Sequence, residues 1–244
     1  MWPNRKLWLC GVALCVSVGS QAGELKTQQD KESYSMGLSL GNYLSNELYQ
    51  QQKLGANADV SLVIEGFVDA LKNQAKLTDE QTVTLLNQRA ETLNQARAAQ
   101  RKLLAENNRK AAGDFFEKNA KASGVTTLKS GLQYQQLSKG NGPAPKPEDV
   151  VTAKYRGTLL DGTEFENSGD EPVRFALMTM IPGLEEGIRQ MHTGGKARFF
   201  IPAALAYGAD GAGAIPPQSA LIFEVELVKV EKPAKGHGGM MPGM

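Results

Sequence analysis

Ala206-Tyr207-Gly208-Ala209-Asp210-Gly211-Ala212-Gly213-Ala214-Ile215-Pro216-Pro217, followed after three residues by Leu221-Ile222-Phe223, is the stretch that decides how this chain is read. It sets aromatic and aliphatic side chains around a Gly-rich flap, with no general base or thiol at its centre. Such a site is unsuited to proton or nucleophile chemistry. It is suited to holding an apolar peptide segment.

The sequence around the flap has the grammar of strands. Leu132-Gln133-Tyr134-Gln135 alternates, as do Val151 to Tyr155, Val173-Arg174-Phe175 and Leu221 to Val230. Gly140 to Pro147 is a Gly/Pro connection. Pro182 and Gly183 precede a short helix predicted over Leu184 to Met191, closed by Gly194-Gly195. Strands outnumber helices from Thr126 onward, so this region is predicted to be an antiparallel α+β unit.

Upstream the period changes to that of helices. Residues 31–49 and 59–73 are predicted helices. In the second, Val60, Ile64, Phe67 and Leu71 follow the i, i+4, i+7, i+11 spacing, and Val63 and Val68 widen the apolar face. Residues 24–30 are polar and are expected to fray. Thr78 with Gln81 forms a capping box, with Asp79 and Glu80 in the first turn. The helix they open runs to about Ala122, with Gly124 suited to the cap. At 1.5 Å per residue it would be about 66 Å long, far beyond the ~13 Å radius of gyration of a 100-residue domain. Its middle, Asn94 to Lys102, is poor in large apolar groups and reads as a solvated strut. Arg97 and Gln100 at would-be core positions argue against a coiled coil.

The two short helices and the start of the long one form a unit too small to bury much surface alone. Its apolar residues lie on more than one face. An intertwined homodimer through residues 31–93 is therefore expected.

The first 22 residues stand apart. Arg5 and Lys6 precede an uncharged run, Leu7 to Ala22, ending in Ser20-Gln21-Ala22. This reads as a secretory signal peptide. The run falls short of the roughly 20 residues that a membrane span needs. Leu14 before Cys15 disfavours a lipoprotein anchor. Both cysteines, Cys10 and Cys15, lie in this segment, so the remaining chain would carry neither disulfide nor thiol nucleophile. The net charge of +1 gives no support for a nucleic-acid surface.

Residues 150–231 resemble an FKBP-type peptidyl-prolyl cis-trans isomerase domain. The matching segments are Tyr155-Arg156-Gly157-Thr158-Leu159, Asp161-Gly162-Thr163-Glu164-Phe165, Ile181-Pro182-Gly183-Leu184-Glu185-Glu186-Gly187 and Tyr207 to Phe223. The helical region with Gly131-Leu132-Gln133-Tyr134 resembles the N-terminal part of the exported bacterial Mip/FkpA-like group of that family. The resemblance implies a signal peptide at 1–22, a helical dimerisation region at 23–77 and a linker helix at 78–124. An isomerase domain at 125–232 and a disordered tail at 233–244 complete the division.

It also implies a site. Tyr155, Phe165, Glu166, Ile181, Leu184, Tyr207 and Phe223 would act on the bound peptide, with Val173, Phe175, Met180, Ala214 and Ile215 lining the substrate groove. Phe165, Leu184 and Phe223 would hold the prolyl ring. The Ile181 N–H and the Tyr207 hydroxyl would donate to substrate carbonyls, and Glu166 would make polar contacts at the rim, with Tyr155 as its partner. The implied substrates are unfolded or proline-containing polypeptides at the periplasmic side of an exporting bacterium, with outer-membrane association as a variant. A macrolide of the rapamycin or FK506 type is a candidate ligand of the same pocket. No cofactor or metal is implied. The implied function is X-Pro isomerisation in the folding of exported proteins, with chaperone activity beside it; a dimeric holdase chaperone with weak or no isomerase activity is the alternative, and an inactive ligand-binding module is a third reading.

Several positions depart from the common pattern. Leu184 stands where a Trp often forms the pocket floor, Glu166 where Asp is usual, and Ala212 and Ala214 lighten a flap one residue shorter than in many members. A Leu floor is smaller and loses aromatic contact with the prolyl ring. Other chemistries lack their residues. Pro216 breaks the dinucleotide spacing after Gly211-Ala212-Gly213, and Gly195-Lys196 lacks the rest of a phosphate loop. His192 and His237 are the two histidines, and His237 with Met240 and Met241 makes only a weak soft-metal pattern.

Overall fold

The computed structural model describes residues 24–233. The expected signal peptide and the tail from 234 onward, with His237, Met240 and Met241, lie outside the described residues. The chain is α+β and divides into two compact units at Gln74/Ala75.

The first unit holds two helices, α1 (Gln28–Lys53) and α2 (Val60–Leu71). The segment expected to fray instead starts α1. The Thr27 hydroxyl accepts from the Asp30 N–H at 3.0 Å, and the Asp30 carboxylate accepts from the Thr27 N–H at 2.9 Å. This reciprocal cap satisfies two donors that a helix start leaves unpaired. Asp59 caps α2 in turn, through the N–H groups of Ser61 and Leu62. No residue of either helix is buried. Tyr34, Leu38, Leu62, Ile64 and Phe67 are all exposed.

The second unit begins with α3 (Asp79–Asn119), 41 residues capped by the expected Thr78/Gln81 box. It is about 60 Å long. Its last residue is Asn119 and its cap is Ala120, short of the Gly124 stop predicted. Gly124 takes a left-handed φ of +76° in the turn that follows.

Seven strands complete the unit: β1 (Val125–Thr127), β2 (Gln133–Ser138), β3 (Val150–Leu159), β4 (Glu164–Asn167), β5 (Val173–Ala176), β6 (Lys196–Ile201) and β7 (Leu221–Glu231). All pair antiparallel in the order β1-β2-β6-β7-β3-β4, with β5 also on β3. The inward residues alternate along β7, where Leu221, Phe223, Val225 and Leu227 are buried.

They pack on α4 (Pro182–Ile188), the short helix. It starts two residues earlier than predicted and ends three earlier. Pro182 fits its first position, where the missing N–H costs nothing and φ is already helical. Leu184 and Ile188, four apart, face the sheet at 4% and 0% exposure. Burying each contributes about 1.5–3 kcal/mol.

Candidate functional site

The site forms where β3, β4 and β7 meet the start of α4. Tyr155 and Gly157 are two apart on β3 and share a face. Gly157 pairs with Phe223 on β7 and with Glu166 on β4. Gly157 therefore lies under two rings. A Cβ there would meet the Phe165 ring at 2.7 Å and the Phe223 ring at 3.0 Å. Only a residue without a side chain lets the rings close over this strand.

They do close. Phe165 and Phe223 meet edge to face at 5.5 Å, Tyr155 lies 6.3 Å from Phe223, and Phe175 meets Tyr155 edge to face at 6.2 Å. Such edge contacts place a positive ring edge against a negative face. Leu184, Ile215 and Phe223 belong to the buried core, and Tyr155, Phe165, Phe175, Met180, Ile181 and Tyr207 pack against that core while remaining partly exposed. The result is an aromatic and aliphatic surface with one open side.

Two expected residues are placed differently. Val173 is exposed at the start of β5, and Ala214 is exposed on the flap. Neither is among the side chains packed on this core.

Four polar groups edge the site. The Tyr155 hydroxyl donates to Glu166 Oε1 at 2.9 Å. Burial first, then this hydrogen bond and the charge of Glu166, push the Tyr155 phenol up to about 12. Burial and the same carboxylate raise that of Tyr207. The Tyr207 hydroxyl has no hydrogen-bond partner among the described residues. Nor does the Ile181 N–H, which precedes α4 at its N-cap, although its carbonyl accepts from Leu184 and Glu185. Two free donors thus border an apolar pocket. Glu166 beside the Tyr155 hydroxyl is a carboxylate next to a phenol, but it holds that phenol in its protonated form and so activates no nucleophile.

Gly157 was not singled out among the expected site residues. Its signal lay inside the quoted Tyr155-Arg156-Gly157 segment, but only the partner strands reveal which rings it admits. His192 is away from this chemistry, with Nδ1 2.9 Å from the Gly142 carbonyl.

A sheet folded on a short helix, with an aromatic cleft and no reacting group, defines a class of peptide-binding isomerase domain. Residues 142–228 match the FKBP-type peptidyl-prolyl cis-trans isomerase domain, and residues 29–135 match the domain amino terminal to it. The FKBP-type peptidyl-prolyl cis-trans isomerase FkpA of Aeromonas hydrophila is 43% identical over 213 residues, covering 86% of this chain and 80% of that protein. Outer membrane protein MIP of Legionella longbeachae is 36% identical over 232 residues, covering 93% and 96%. The crystal structure of FkpA from Escherichia coli superposes with a TM-score of 0.71 at 39% identity, covering 86% of this chain and 99% of that one. The chain belongs to the FKBP-type peptidyl-prolyl cis-trans isomerases. The holdase alternative, with weak or no isomerase activity, is not favoured. No described helix is long and apolar enough to cross a membrane.

Proposed function

We propose that the cleft accelerates X-Pro rotation in exported polypeptides by binding the twisted amide better than the planar one. Rotation faces a barrier of ~18–20 kcal/mol from amide resonance and takes tens to hundreds of seconds unaided. At the top of the barrier resonance is lost and the carbonyl is less polar. A dry aromatic cleft therefore favours that form over the planar one, which is differential binding of the transition state. Phe165, Leu184 and Phe223 hold the prolyl ring. The Ile181 N–H and the Tyr207 hydroxyl donate to flanking carbonyls, and Glu166 orients Tyr155 at the rim. Met180, Phe175 and Ile215 widen the apolar wall, with Val173 and Ala214 at its exposed margin. The observation that carries this reading is the pair of unpartnered donors, Ile181 N–H and Tyr207 O–H, beside the touching rings.

The leader pattern of Arg5, Lys6 and the uncharged run supports export to the periplasm. The apolar residues of α1 and α2, none of them buried within the chain, support a homodimer through residues 31–93. A macrolide of the rapamycin or FK506 type would compete for the cleft.

The test is cis/trans relaxation of an X-Pro peptide with the wild type, Tyr207→Phe, Phe165→Ala and Phe223→Ala. Slower relaxation in each variant is expected. Unchanged rates in all three would end the assignment.

A further inference from the structure

The flap that follows Tyr207 is small and self-contained. Its base is closed by the Gln218 N–H donating to the Gly208 carbonyl at 2.9 Å. Its tip is closed by Ala212 and Ile215, which exchange hydrogen bonds of 3.0 and 2.8 Å. Gly211 sits at φ +68°, where a Cβ would lie 2.2 Å from the Ile215 carbonyl oxygen. A fold this tight moves as one piece. Its inner side carries Ile215 into the core, with Tyr207 at its root. Its other residues from 208 to 214 are glycines, alanines and Asp210, so little side-chain burial fixes it.

Its outer side is held by α3. Arg101 Nη2 donates to the Asp210 carbonyl at 2.8 Å and to its carboxylate at 2.9 Å. Asn108 Nδ2 donates to the Pro217 carbonyl at 2.8 Å and approaches Ser219 Oγ at 3.4 Å. Arg101 and Asn108 are seven residues apart, two turns along one face of the helix. Asp210 and Pro217 are near the two ends of the flap. Around the Asn108 tether helix and flap leave an open groove of about 400 Å³ edged by Leu104, Ala111, Leu159 and Pro216. Close packing therefore does not join helix and flap there, and polar contacts do.

We propose that α3 is a splint for the flap, and that Arg101 and Asn108 are positioning residues for the isomerase site. They act through Asp210 and Pro217 and hold Tyr207 and Ile215 where a peptide meets them. The proposal rests on the isomerase reading above. Releasing the splint lowers the fraction of molecules with the flap in its binding position. Apparent affinity falls by that fraction while chemistry in the bound complex is little altered.

The experiment uses the full chain with Arg101→Ala, Asn108→Ala, Arg101→Lys and the exchanged pair Arg101→Asp with Asp210→Arg. Isomerisation of an X-Pro peptide is followed by NMR exchange across peptide concentrations. Because the Arg101–Asp210 pair is exposed and Asn108 contributes a neutral hydrogen bond, each alanine variant is expected to raise KM roughly two- to fivefold, with kcat changed by less than about twofold. Arg101→Lys and the exchanged pair should recover most of the loss. The wild-type KM should rise between about 0.1 M and about 1 M salt, as the screening length falls from ~10 to ~3 Å, whereas that of Arg101→Ala should not. An active wild type with unchanged KM and salt response in both alanine variants overturns the splint alone. So does a loss in kcat that tracks a lower Tm, which would mark a merely structural role. An inactive wild type overturns the isomerase reading and the splint with it.

Discussion

The helices α1 and α2 and the sheet that cradles α4 solve the burial problem in opposite ways. The sheet covers its own apolar face: Val151, Phe199, Ile201, Leu221 and Leu227 are at 0% exposure around Ile188. In α2, Val60, Leu62, Ile64, Phe67 and Leu71 range from 45% to 71% exposed. A 12-residue helix is marginal in water unless its apolar face is covered. The isomerase part is specified by contacts within one chain. The helical part carries an apolar surface that asks for a second copy.

Removing apolar groups should therefore act on different observables in the two regions. Phe223→Ala opens a cavity in a self-sufficient core, and chemical denaturation should show a loss of about 3–5 kcal/mol. A loss below about 1 kcal/mol would mean that the core has slack to collapse. The double variant Leu62→Ser with Phe67→Ser should leave the sheet's unfolding transition in place. Sedimentation should instead show dimer association weakened by at least ~100-fold, since each buried Leu or Phe is worth about 1.5–3 kcal/mol and 1.4 kcal/mol is tenfold. An unshifted dimer would move the interface elsewhere.

The same contrast decides what could be read from the amino-acid sequence. Alternation along Leu221 to Leu227 was legible because one face is buried within the chain, which is where a period of two arises; beyond Leu227 a register shift against β3 breaks the pattern predicted to Val230. The Thr78/Gln81 box was legible because capping is local. The Thr27/Asp30 box is just as local. It escaped notice because the polar run 24–30 lacks the apolar period that draws attention to a helix. The short helix was misplaced by a few residues: Pro182 and Gly183 look like breakers, yet Pro belongs at a helix's first position. The aromatic site residues were legible through family resemblance, whereas composition alone treats each Phe as core. Gly157 and the α3 tethers to Asp210 and Pro217 were not legible. They depend on pairs far apart in sequence, and no period or spacing encodes which strand crosses beneath which ring.

Within the sheet unit, polar and apolar contributions should also separate. Tyr207→Phe keeps the ring and removes a hydroxyl that has no partner within the described protein. Folding stability should change little, because no internal hydrogen bond is lost. Activity should fall by about five- to tenfold in kcat/KM, the value of about one hydrogen bond of ~1 kcal/mol to the peptide. A full-activity Tyr207→Phe enzyme would leave the ring, rather than the hydroxyl, as the contribution.

The smallest expected effect is that of pH. A cleft that works by apolar contact and neutral donors has nothing to titrate near neutrality. The Tyr155 phenol, pushed up to about 12 by burial and Glu166, and that of Tyr207, raised by the same causes, both keep their protons. Between pH ~6 and ~9, below the ordinary tyrosine value of ~10, kcat/KM should vary by less than about twofold. At the acid end stability should fall as Asp149, Asp161, Glu164 and Glu231, held below the usual carboxylate range by their hydrogen bonds, take up protons; the site's own contribution appears at the alkaline end. Above pH ~10 the unfolded chain releases the Tyr155 proton while the folded chain retains it until about 12, so stability is complete below that window and falls as pH rises through it. Tyrosinate absorbance should show a late component that shrinks in Tyr155→Phe, the remainder belonging to Tyr207. In Glu166→Gln that component should move to lower pH, because the carboxylate that disfavours a neighbouring phenolate is gone. A bell-shaped activity profile centred near neutrality would overturn a mechanism without proton transfer. An unmoved late component in Glu166→Gln would leave burial as its sole cause.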